Sequence, residues 1–202
     1  MRVNILFYSM YGHMYQMAQA AQKGAEAVDG VEAQLLRIPE TLPEEVLKMM
    51  GALEAQKQFE GIPAATMEDL AQGDGFIFGL PTRYGRMSAQ WANFLDQSGQ
   101  LWQQGALAGK PVGLMSSSGT QHGGQETTII STAASLMHHG MLVVGLPLEH
   151  WTQIPPDEAS GGTPYGASTF VGDGSRMPSD RELAAAEAQG KWVAELTKKL
   201  KA

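Results

Sequence analysis

Residues 75–88 read GFIFGLPTRYGRMS, and this stretch decides the fold. Phe76, Ile77 and Phe78 form an apolar run of strand length, the mark of a buried strand. The run opens into Gly79-Leu80-Pro81-Thr82-Arg83-Tyr84-Gly85-Arg86. In an open α/β sheet, ligands bind just past the carboxyl ends of the strands. The loop therefore brings a tyrosine ring, a threonine hydroxyl and two guanidinium groups to where a planar ligand could sit. Two other apolar runs end in similar polar loops, SMYGHM at 9–14 and SSSGTQHGGQE at 116–126. Three such loops converging on one place say more than any one of them.

Working outward, Val3 to Tyr8 reads as a first strand, and 13–28 carries apolar residues at helical spacing: Met14, Met17, Ala18, Ala21, Ala25 and Val28. Val31 to Ile38 reads as a second strand. Pro39 to Pro43 is a breaker cluster, and 44–60 is polar and weakly helical. That long connection marks a functional or interface element. Met67 to Gln72 suits a short helix capped by Thr66, followed by strand three at Asp74 to Gly79. Ser88 is expected to cap one helix running to about Gln103, with Trp91, Phe94, Leu95 and Leu101 on one face. Pro111 to Met115 reads as strand four, Gln125 to His139 as a helix stopped by Gly140, and Met141 to Leu146 as strand five. Residues 148–178 are rich in Gly, Pro, Ser and Thr. Ser179-Asp180-Arg181-Glu182 is a capping box opening a last helix to about Leu200. Strands alternating with helices predict a parallel sheet covered on both faces. The expectation is an open five-stranded sheet of order 2-1-3-4-5 in one domain, 1–202, with the ligand between the loops after strands one and three.

Composition bounds the function. The chain has 202 residues, 43% of them apolar, enough for a sizeable core. Its 14 Lys and Arg against 21 Asp and Glu give a formal charge of −7, unsuited to sequence-independent binding of nucleic acid. It has no cysteine, so disulfides, thiolate nucleophiles and Cys-ligated metals are excluded; if the protein does redox chemistry, a bound cofactor must carry the electrons. No apolar run approaches membrane-spanning length, and the N-terminus reads as a strand rather than a signal peptide, giving a cytoplasmic location by default.

The loops divide the chemistry. Ser9-Met10-Tyr11-Gly12-His13-Met14 runs into a helix, where free N–H groups and the helix dipole favour a phosphate. It has neither a Walker A motif nor the dinucleotide glycine fingerprint, and it also reads as an ordinary capped turn. Thr82 can bond a polar ring edge and Tyr84 can lie along a flat ligand, although the loop can equally be a solvated one. Ser116 to Gly124 can wrap a polar chain or a ring edge, or be a flexible Gly/Ser loop. His138 and His139 suit the negative end of a helix dipole. By spacing alone Trp102 reads as core. No metal-ligand set stands out.

The segments SMYGHM, GLPTRYGRMSAQ, FLDQSGQLW, GALAGKPVGLMSSSGTQHGGQE, HHGM and GGTPYGAST together resemble the WrbA family, flavodoxin-like NAD(P)H:quinone oxidoreductases that bind FMN. The similarity runs from the first strand to the last helix. It implies that Ser9, Met10, Tyr11, Gly12, His13 and Met14 hold the FMN phosphate, with Tyr11 also near the nicotinamide nucleotide. It implies that Thr82, Arg83 and Tyr84 contact the isoalloxazine; members often have Phe at the position of Tyr84. Ser117, Ser118, Gly119, Thr120, Gln121, His122, Gly123 and Gly124 would complete the flavin site, Gln121-His122 being a departure from the commonest pattern. His139 would sit beside the flavin as the catalytic residue, and Trp102 would line the substrate pocket. Family members are typically homotetramers whose sites are walled by neighbouring subunits. The implied activity is a ping-pong transfer of two electrons from NADH or NADPH to a quinone. An electron carrier, or a regulatory binding protein on a flavin scaffold, is the alternative; steady turnover without a partner protein separates these.

Overall fold

A computed structural model describes residues 1–150 and 158–201. Its centre is a parallel sheet in the order β2-β1-β3-β4-β5, made of Arg2–Phe7 (β1), Glu32–Arg37 (β2), Gly75–Pro81 (β3), Pro111–Ser118 (β4) and Leu142–Val144 (β5). The expected order is borne out. Every residue of β3 and β4 is buried. Alternate side chains feed two cores. Val3, Ile5 and Phe7 of β1 face a layer built from His13–Glu26 (α1) and Asp180–Lys201 (α8). Leu6 and Tyr8 face the opposite layer, where Met67–Gln72 (α4), Ala89–Asp96 (α5) and Gln125–His138 (α7) pack. The period of two along a strand thus supplies both faces.

The α1–α8 layer is unusually close. A Cβ on Gly190 would lie 1.9 Å from the Ala21 carbonyl oxygen, and one on Gly24 would lie 1.8 Å from that of Glu187. Only hydrogen fits at either point.

Several boundaries differ from expectation. Strands three and four continue to Pro81 and Ser118, so the polar residues Ser116–Ser118 are strand rather than loop. The single helix expected at 88–103 is two, α5 and Gly99–Gln103 (α6). The Ser98 hydroxyl donates to the Leu95 carbonyl oxygen (2.5 Å), and Gly99 follows, so side-chain competition and a poor helix former coincide at the break. Ser88 occupies the N-cap position of α5 without capping it, and its buried hydroxyl has no partner among the described residues. Thr66 does cap α4, in a reciprocal box with Asp69. The 44–60 stretch resolves into Glu44–Met49 (α2), Leu53–Gln56 (α3) and a 3₁₀ turn at Lys57–Phe59.

A sixth strand, Ser168–Phe170 (β6), lies inside the Gly- and Pro-rich segment. It pairs in parallel with Ser116–Ser118, while β5 pairs with Pro111–Gly113 of the same strand. The two short strands share one edge of β4, its first half and its last. Part of the expected strand five is therefore supplied from a point more than twenty residues later.

Candidate functional site

The sheet is parallel, so the loops after β1, β3 and β4 emerge on one edge. Between them lies a cavity of about 190 Å³, lined by Ser9, Met10, Tyr11, His13, Met14, Pro81, Thr82, Arg83, Ser117, Ser118, Gly119 and Val171. Eleven of these come from the three loop segments singled out in the sequence, Pro81 among them; Val171 does not.

The first loop turns on Gly12, which has φ 94° and donates its N–H to Ser9 Oγ at 3.0 Å. That left-handed conformation suits glycine. α1 then begins at His13 with no side-chain cap, so the N–H groups of its first turn face the cavity edge without an intrahelical acceptor. Ser9, Met10, His13 and Met14 are buried; Met14 packs into the α1 core. Tyr11 is partly exposed, and its hydroxyl donates to the Met50 carbonyl oxygen at 3.1 Å. Burial holds the His13 imidazole below its usual pKa, and the bond between Nε2 and the Arg176 carbonyl oxygen (3.0 Å) partly offsets this.

The second loop is a tight reversal. Arg83 N–H donates to the Arg86 carbonyl oxygen at 2.7 Å, and Arg86 N–H returns the bond at 3.1 Å. Tyr84 and Gly85 between them have φ of 56° and 78°, the backbone of a type I′ turn. Tyr84 is the only non-glycine residue with positive φ among the described residues, and its side chain is fully exposed. Thr82 anchors the loop to its neighbours. Its N–H donates to the Ser117 carbonyl oxygen (2.8 Å), and its hydroxyl accepts from Gly85 N (3.1 Å) and Thr128 Oγ1 (2.7 Å).

In the third loop Ser117 and Ser118 are buried at the end of β4, whereas Gly119, Thr120, Gln121 and His122 are exposed. The side chain of Gln125 donates to the carbonyl oxygens of Thr120 and Gln121, both at 3.1 Å. Gly123 and Gly124 lead into α7, Gly124 with φ 100°.

A carboxylate lies behind the first loop. Burial alone would raise the Glu40 pKa, but bonds from Leu42 N–H, Gln56, Gln90 and the Tyr8 hydroxyl more than offset it and hold Glu40 ionised. Burial and that same carboxylate drive the Tyr8 phenol far above its usual range.

Two expected site residues lie elsewhere. His139 caps the far end of α7, and Gly140 and Leu142 next to it bond to Gly109 and Lys110 before β4. Trp102 Nε1 donates to the His138 carbonyl oxygen at 2.9 Å, and Ser98 Oγ meets His139 Nε2 at 3.1 Å. Both residues therefore sit at the amino edge of the sheet, about 20 Å from their own chain's three loops by the length of α7. Trp102 is exposed rather than core, and His139 Nδ1 is buried with no partner among the described residues.

Relatives now bear on this geometry. A family model described as NADPH-dependent FMN reductase matches residues 1–150. A Solidesulfovibrio magneticus protein named NAD(P)H dehydrogenase (quinone) is 53% identical, with 100% of both chains covered. A Syntrophobacter fumaroxidans protein of the same name is 55% identical, covering 99% of this chain and 98% of its own. The chain belongs to the NAD(P)H dehydrogenase (quinone) family. Among solved structures it is similar to a WrbA-like flavodoxin from Agrobacterium tumefaciens, at 25% identity, TM-score 0.64 and 98% coverage of each chain. The resemblance to WrbA read from the loops is borne out. NAD(P)H dehydrogenases (quinone) span the whole length of the chain, including the part beyond residue 150 where Val171 and Arg176 approach the site. Sequence reading missed both; the capping box at Ser179-x-x-Glu182 was their nearest signal. Among the described residues no His, Asp and Glu cluster suits a metal ion, and no helix is long and apolar enough to cross a membrane.

Proposed function

We propose that the chain is a cytoplasmic FMN-dependent NAD(P)H:quinone oxidoreductase. The observation that carries this reading is the meeting of three loops around one cavity: an uncapped helix start, a strained turn presenting Tyr84, and a hydroxyl-lined strand end. These residues fit FMN. The turn at Ser9–Gly12 and the first N–H groups of α1 would take the terminal phosphate by dipoles alone, since the loop has no Lys or Arg. Ser117, Ser118, Thr82 and Arg83 would meet the ribityl chain and the polar ring edge, and the guanidinium offers positive charge where a reduced ring carries negative charge. When bound, FMN supplies the two-electron relay from NADH or NADPH to a quinone. Tyr84 forms one wall of the mouth, which donor and acceptor use in turn, giving ping-pong kinetics.

The mouth needs a second wall, which a copy of the chain can supply. α7 exposes Ile130, Ala134 and Met137 in a stripe at helical spacing. Tyr84 lies at one end of this helix and Trp102 with His139 at the other. Two copies packed with their α7 helices antiparallel about a two-fold axis bring Trp102 and His139 of the partner subunit to the loops of the first. We therefore propose a homotetramer in which a neighbour's His139 polarises the quinone carbonyl.

The test is to denature the purified protein, identify the released flavin by chromatography, and follow NADH-driven quinone reduction without any partner protein. Recovery of FAD, or no turnover, overturns the reading. Sedimentation with and without FMN tests the assembly, and a monomer in both conditions refutes it.

A further inference from the structure

Glu182, in the first turn of α8, is 1% exposed yet keeps a carboxylate fully occupied. Oε1 accepts from Gly161 N–H at 2.7 Å and Arg176 Nη2 at 3.0 Å. Oε2 accepts from Ser179 N–H at 2.8 Å, Thr169 Oγ1 at 2.9 Å and Arg176 Nη1 at 3.0 Å. The Arg176 guanidinium thus meets it as a fork, lies 4.0 Å above the Phe170 ring, and also donates to the Phe170 carbonyl oxygen at 2.8 Å. A capping box alone needs only Ser179 and Glu182; the other partners tie β6, the segment before it and residues 171–179 to one buried point.

The segment held in this way touches two walls of the cavity. Val171 N–H donates to the Ser118 carbonyl oxygen at 2.8 Å, beside the third loop. The Arg176 carbonyl oxygen bonds His13 Nε2 at 3.0 Å, beside the first. His13 directly follows Gly12, whose backbone is the freest of the turn. A neutral imidazole that donates from Nε2 has one tautomer and one ring orientation. The position of the first helical turn is thereby set from a residue more than 160 positions away.

We propose that Arg176 and Glu182 form a latch that, through the Arg176 carbonyl and His13, fixes the Gly12–Met14 backbone against the cofactor phosphate. They are positioning residues for that one group of the ligand. This rests on the FMN reading above. The latch acts on the phosphate alone, whereas a merely structural ion pair acts on the whole site, and the two roles separate by comparing FMN with riboflavin, which lacks the phosphate.

The experiment titrates flavin-free protein with each ligand by fluorescence quenching, using the wild type, H13F, H13Q, R176M and E182Q. The expected result is that H13F and R176M lose FMN affinity about ten- to a hundred-fold, the worth of one charge-assisted hydrogen bond, while riboflavin affinity changes less than about two-fold. H13Q keeps an N–H donor and should recover most of the preference for FMN. E182Q can fail to fold because it disturbs a buried pair, in which case H13F, which leaves that pair intact, decides. Equal losses for both flavins, or no loss for either, would overturn the latch. A wild type that binds riboflavin as tightly as FMN would also overturn it, and one that binds neither would overturn the cofactor assignment and the latch with it.

Discussion

Tyr84 holds a backbone conformation that costs an L-residue roughly 1–2 kcal/mol, and its ring is fully exposed, with no burial among the described residues to offset that cost. Strain without local compensation points to use by a ligand or a neighbour. Y84G should therefore raise the melting temperature of flavin-free protein while raising KM for quinone; a lower Tm would show that the ring already stabilises the lone chain. Titration at single residues is equally readable. Burial depresses the pKa of His13, and of His139 together with the neighbouring His138 charge. Above about pH 6.5 both rings are neutral whether the chain is folded or not. As pH falls through that value, the unfolded chain takes up protons that the folded chain resists, so stability declines with falling pH. Flavin-free protein should melt lower at pH 5.5 than at pH 8, and H13F should flatten that slope. The proposed catalytic role gives a sharper contrast. H139A should retain FMN yet slow the quinone half-reaction roughly ten- to a thousand-fold, with the NADH half-reaction less affected, as stopped-flow traces would show. At this scale the sequence announced which residue types the loops offer. The φ of Tyr84 was invisible because a type I′ turn is usually marked by Asn-Gly or Asp-Gly, and here a tyrosine takes the Asn place.

At the scale of elements, long periodic or wholly apolar segments were legible. β1, β3, β4, α1, α7 and α8 all fall near their expected places, because a two-residue or 3.6-residue period must be buried on one particular side. β6 was not legible. Three residues within a segment rich in Gly and Pro carry no period, and they become a strand because the last half of β4 offers them backbone partners. The split of α5 from α6 was missed for a similar reason: it depends on one serine hydroxyl finding a carbonyl. The connection after β2 is held by Glu40, whose oxygens take bonds from the N–H groups of Thr41 and Leu42 and from Tyr8, Gln56 and Gln90. Glu40 has a lowered pKa, so its contribution is complete above about pH 4.3 and fades as pH falls below that. E40Q should remove this acid-side decline in part and leave its donors short of acceptors. Limited proteolysis is expected to find 44–60 cleaved faster in E40Q than in the wild type at neutral pH.

For the whole molecule, the order 2-1-3-4-5 places the loops after β1 and β3 at the switch point, which explains why a fold read from periodicity also located the cavity. It did not locate His139 or Trp102, since helix spacing says nothing of which edge of the sheet a loop reaches. Helices α1 and α8 meet through glycines that leave no room for a methyl, and G190A should cost about 3 kcal/mol in urea unfolding, because the new methyl meets a carbonyl oxygen fixed in a helix. The shared edge of β4 has a consequence for the order in which the molecule is made. On the ribosome, residues 1–144 emerge with strands β1 to β5 and all three loops, yet the end of β4 still lacks its neighbour. That neighbour, and the buried carboxylate of Glu182 behind it, leave the exit tunnel later. Nascent chains stalled before Ser168 should be compact but unable to retain flavin, and emergence of the stretch from Ser168 to Glu182 becomes the moment at which the protein first acquires its colour.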